Sequence, residues 1–63
     1  MAKIEVSFID SERKIVFKEV NALGYDFEYS PYSNNTIIIS DISLVDKDKF
    51  ICFLNEHDIS WNN

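Results

Sequence analysis

The chain has one cysteine, one glycine and one proline in 63 residues, and each scarcity excludes something. A lone Cys52 can neither close an internal disulfide nor bring a second thiolate to a metal, which fits a reducing compartment. With Gly24 as the only glycine there is no glycine-rich loop to cradle a phosphate. Without a CxxC pair there is no thiolate site of the metal-chaperone kind. No apolar run approaches the roughly 18 residues of a membrane span, and "MAKIEVSFID" carries an acid where a secretory signal would place its apolar core. The expected location is the cytoplasm, of the encoding cell or of an infected host.

Basic residues are scarce too: six Lys and Arg stand against eleven Asp and Glu, a net charge of −5. A surface that gains affinity by neutralising phosphates needs the opposite balance, so no nucleic-acid partner is expected. The acids are dispersed and no block of five like charges occurs, so there is no acidic tail. What is present is apolar: 46% of residues are hydrophobic and 14% aromatic. A chain this short buries only about 60% of the surface its unfolded form exposes. That composition nevertheless supports a packed core in one domain, residues 1–63.

The order of elements follows from periodicity and punctuation. In "KIEVSFI" Ile4, Val6 and Phe8 alternate with Lys3, Glu5 and Ser7, the pattern of a strand over residues 3–9 with one buried face. "DSERKIVFKEVNALG" has Asp10 or Ser11 as a helix cap, Val16, Val20 and Leu23 on one helical stripe, and Gly24 where a left-handed C-terminal cap belongs. A rival pairs "KIVFKEV" as a strand with the first through a "DSER" turn, as its β-branched residues allow. The Leu-Gly ending favours the helix, over residues 11–23. In "YDFEYS" Tyr25, Phe27 and Tyr29 share one face and Asp26 and Glu28 the other. "SPYSNN" is a turn, and "TIIIS" has the near-continuous apolar character of a strand flanked by neighbours. A second helix begins near Ser43, either as a capping box with Asp46 or with Asp46 itself as the cap and Val45 and Phe50 as a staple. Its apolar stripe is Phe50, Phe53, Leu54 and His57, and "ISW" closes the chain as a short strand.

The resulting β-α-β-β-α-β order resembles the ferredoxin-like, split-βαβ architecture, an α+β fold in which two helices cover one face of a four-stranded antiparallel sheet. That likeness implies central first and third strands and edge second and fourth strands. It also raises several chemistries. The acylphosphatase version uses an arginine in the first βα loop, and Arg13 stands near there in a chain short for that enzyme. RNA-recognition domains stack bases on aromatics of the open sheet face. Turning Tyr25, Phe27 and Tyr29 outward here would bury Asp26 and Glu28 under the helices, at several kcal/mol.

Paired carboxylates suit acid–base work, but Asp46 and Asp48 lie where the helix dipole favours acids, and Asp26 and Glu28 point into solvent. "DKDKFICFLNEH" lacks the glycine and the final glutamate of a calcium loop. Cys52 and His57 are five apart and face different ways on a helix. No catalytic residue, metal ligand or cofactor is expected.

Glu5, Asp26 and Glu28, with Tyr32 at the rim, instead form an acidic surface beside the second strand. The expected function is non-enzymatic binding of another protein with a basic surface. The Asn, Ile and Lys usage fits an AT-rich genome, and with it a phage-encoded inhibitor or regulator. A second copy of this chain, joined through the second strand as a homodimer, is another occupant of that edge. A small-ligand-sensing, ACT-like dimeric domain is the alternative from another class.

Overall fold

The computed structural model describes residues 2–63. Strand β1 (Ala2–Ser7) leads through a 3-10 turn (Asp10–Glu12) into helix α1 (Arg13–Leu23). Then come β2 (Glu28–Tyr29), β3 (Thr36–Ile42), helix α2 (Leu44–Glu56) and β4 (Ser60–Asn62). The strands pair antiparallel in the order β2-β3-β1-β4, with β1 and β3 central and β2 and β4 at the edges. This is the ferredoxin-like arrangement. Residues 14–20 are helical, not paired with β1.

Helix α1 forms because Val16 and Val20 have a sheet to bury against, which outweighs their weak helix propensity. It stops at Gly24, whose φ of +83° lets its N–H reach the Val20 and Asn21 carbonyls, both at 3.1 Å. At the other end neither Asp10 nor Ser11 is the cap. Ile9 caps the 3-10 turn, with its N–H donating to Glu12 Oε1 at 3.0 Å, and Glu12 itself stands at the N-cap of α1. The N-terminus of α2 uses Ser43, whose hydroxyl accepts from the Asp46 N–H at 3.2 Å. Asp46 is therefore not the cap, and Val45 lies exposed instead of forming a staple.

One core lies between the sheet and the helices: Ile4, Val6 and Phe8, Val16 and Val20, Ile37, Ile39 and Ile42, Phe50, Leu54 and Ile59. Ile39 and Ile42 are three apart on one strand, a spacing that should put them on opposite faces. A bulge resolves this: Ile39 pairs with Ile4 and Ile42 with Ala2, so β3 spends one extra residue there. Both isoleucines point inward, while Ser40 and Asp41 are exposed.

The bulge also shapes the sheet edge. β2 pairs with β3 only through Glu28–Ile38 and Tyr29–Ile37, and Ser30 N–H closes the hairpin on the Thr36 carbonyl at 2.8 Å. Residues 24–27 run alongside the bulged part of β3 without joining it. Expected over "YDFEYS", the second strand is thus two residues long. β1 also ends earlier than residue 9, and Phe8 instead donates its N–H to the Asn35 carbonyl at 2.9 Å.

Candidate functional site

Where β2 and β3 part, a groove of about 420 Å³ opens on the sheet edge. One wall is the chain from Gly24 to Glu28, and the other is Ile38, Ser40 and Asp41. Three elements of local structure make it: the glycine turn that ends α1, the bulge that bends β3 away, and the aromatic packing that holds the intervening segment to the helix. Phe27 lies 5.0 Å from the Phe17 ring of α1, and Tyr29 meets both rings edge-on at 6.0 and 6.2 Å. The aromatic stripe therefore faces the helices, and its acidic partners face out. Tyr29, at the end of the stripe, stays 48% exposed.

Tyr25 fixes the closed end of the groove. Its hydroxyl donates to Asp46 Oδ2 at 2.6 Å and accepts from the Ser43 N–H at 3.2 Å. This inserts a phenol into the expected capping box: Ser43 caps Asp46, but Asp46 turns to Tyr25 instead of reaching back to Ser43 N–H. The Tyr25 bond is the main reason the Asp46 carboxyl sits below its ordinary value of 3.8. Desolvation pulls the other way, and the Ser43 hydroxyl and the Lys49 charge add to the lowering.

Of the residues expected to form the binding surface, three come together. Glu5 and Glu28 both pair with Ile38 in register, from β1 and β2, so the two carboxylates flank that isoleucine on the open face, about 10 Å apart across two strand spacings. Asp26 is exposed on the groove wall just before β2. Tyr32 is 95% exposed in the hairpin at the far end of β2 and does not line the groove. Asp41 was not visible as a member, because only the bulge turns it toward Asp26 and Glu28.

The remaining candidates have structural employment. Arg13 donates to Asn35 Oδ1 at 2.7 Å, to the Asn34 carbonyl at 3.2 Å and to the Tyr29 hydroxyl at 3.4 Å, and lies over the Phe8 ring at 5.2 Å. It clamps the hairpin to the start of α1, so its guanidinium is engaged by neutral acceptors. His57 ends α2 with its ring 4.7 Å from Phe53. Cys52 is exposed, and among the described residues no cluster of His, Cys, Asp and Glu has the geometry to hold a metal ion. Among them, too, no helix is long and apolar enough to cross a membrane. Comparison with protein-family models, curated proteins and solved structures finds no match to this chain.

Proposed function

We propose that this protein is a non-enzymatic binding module that takes an extended, basic segment of another protein at the β2 edge. The observation that carries this is the two-residue length of β2 beside an acidic groove. The outer side of β2 and the backbone of residues 26–27 leave main-chain donors and acceptors unpaired, which a strand added from outside would satisfy. Asp26, Glu28 and Asp41 supply the charge that selects Lys or Arg on that strand, and Ile38 gives the groove an apolar floor. Occupying a basic surface of its partner in this way would make the protein an inhibitor or regulator.

Two physical points weigh against rivals. A second copy adding through β2 would set Asp26 and Glu28 of both chains near one another, and like charges across a strand pair are unfavourable. Asp46, the carboxylate with the most perturbed environment, is shifted down, the wrong direction for a general base at neutral pH.

The test is an isotope-labelled titration with a short synthetic peptide alternating lysine and valine. Shifts confined to residues 25–29 and 38–41, weakening with salt, are the expected result. The variant carrying Asp26→Lys and Glu28→Lys should fold within about 0.5 kcal/mol of the parent, as exposed changes do, and lose the interaction. A peptide that leaves these residues unmoved refutes the proposal. A rise in thermal stability with a free amino acid or nucleotide, without peptide binding, would instead favour the ligand-sensing alternative.

A further inference from the structure

The few cations of this acidic chain are not evenly placed. Arg13, Lys14 and Lys18, three of the six basic residues, stand on α1. Lys14, Lys18 and Asn21 are all exposed and fall at i, i+4 and i+7, a single stripe on the side of the helix turned from the sheet. Beside them Phe17 is only half-buried, and with Asp10 and Arg13 these residues line a shallow groove of about 580 Å³. Lysines one turn apart repel and destabilise a helix, so the pattern runs against the local interest of α1. Eleven carboxylates are available in the chain, yet only Asp10 lines this groove, and it faces Arg13 at 3.7 Å. Among the described residues neither Lys14 nor Lys18 has an ion-pair partner.

We infer that the outer face of α1 is a second docking surface, and that its occupant is a protein segment carrying carboxylates on either side of one apolar side chain. The carboxylates meet Lys14 and Lys18, and the apolar group covers the open part of the Phe17 ring. Asn21 extends the stripe by one turn with a donor and an acceptor for the segment's backbone. A nucleic acid fits less well. Polyanion affinity comes from neutralising many phosphates, and here two free ammonium groups sit in a chain of net charge −5. The Phe17 ring, met by Phe27 at 5.0 Å and by the Arg13 guanidinium at 5.8 Å, does not offer the open platform that a stacked base uses. This surface is opposite in sign to the β2 edge and shares no lining residue with its groove, so each stands or falls alone.

The probe is a short synthetic peptide with two glutamates one helical turn apart around a central leucine, titrated into the isotope-labelled full chain. The controls are the same peptide with lysines and a single-stranded oligothymidylate. Amide shifts should be largest at residues 10–21 and absent at 38–41, the far wall of the β2 groove. The variant Lys14→Glu with Lys18→Glu should bind about tenfold more weakly or worse, the loss of two exposed ion pairs at the upper end of their usual worth. Both positions are exposed, and circular dichroism of the variant confirms that α1 persists. If the acidic peptide leaves residues 10–21 unmoved, if the doubly reversed variant binds it equally well, or if the oligonucleotide moves the same residues as strongly, the assignment is overturned.

Discussion

Replacing Arg13 by alanine should destabilise the protein well beyond the usual cost of a change at a partly exposed charged side chain. The side chain is 33% exposed, yet it holds three acceptors and two aromatic rings. Its short bond to Asn35 Oδ1 is charge-assisted and contributes about 1.5 kcal/mol; the longer ones to Asn34 and Tyr29 give at most about 0.5 kcal/mol each. Contacts with the Phe8 and Phe17 rings contribute about 0.5 kcal/mol apiece at this exposure. The pair with Asp10, at 3.7 Å and with that carboxylate 88% exposed, contributes close to nothing. Allowing for overlap among these contacts, the loss is about 2–3 kcal/mol. A domain of this size has about 3–9 kcal/mol in total, so urea unfolding should shift markedly and the melting temperature should fall by about 10–20 °C. Arg13→Lys keeps the charge and the stem but not the planar fork, and should cost about half as much. A double-mutant cycle with Asn35→Ala should give a coupling of about 1 kcal/mol. An Arg13→Ala variant within about 0.5 kcal/mol of the parent, by the exposed-surface standard, would refute the clamp.

The two left-handed positions among the described residues give opposite expectations. A side chain at Gly24 would meet no neighbour, so Gly24→Val should lose about 1 kcal/mol or more from backbone strain alone, whereas Asp58→Gly, relieving a φ of +55°, should gain about 0.5 kcal/mol; urea midpoints decide both. The lowered Asp46 carboxyl contributes stability that is fully present above its unfolded value and is lost as pH falls through the folded one. Removing the phenolic donor with Tyr25→Phe should therefore flatten the acid limb of a stability–pH profile below pH 3.8, and an unchanged limb would discount the bond.

Much of the fold was legible because its signals are local. Gly24 marks the end of α1, Ser43 with Asp46 marks the start of α2, and Ile4, Val6 and Phe8 alternate as a strand with one buried face must. Asp26 and Glu28 were legible as outward-facing from their alternation with three aromatics. Tyr32 was legible as exposed from its turn, although its distance from the groove was not. The clamp made by Arg13 was not legible, because its acceptors at Asn34 and Asn35 lie more than twenty residues away in sequence.

The sequence by itself determined which residues turn inward and where the chain bends, since alternation, helical spacing and one left-handed glycine act over a few residues. The tertiary structure decided where the edges open. The bulge at Ser40–Asp41 exists because Ile39 and Ile42 must both reach the core against Ile4 and Ala2. That demand comes from strand partners nearly forty residues away and leaves no mark in the local pattern of "TIIISDI". From it follow the two-residue β2, the groove beside Asp26 and the approach of Asp41. A second decision of the same kind is the Tyr25 hydroxyl, which completes the cap of α2 from across the fold: a hydrogen bond over eighteen residues depends on the packing that brings its partners together.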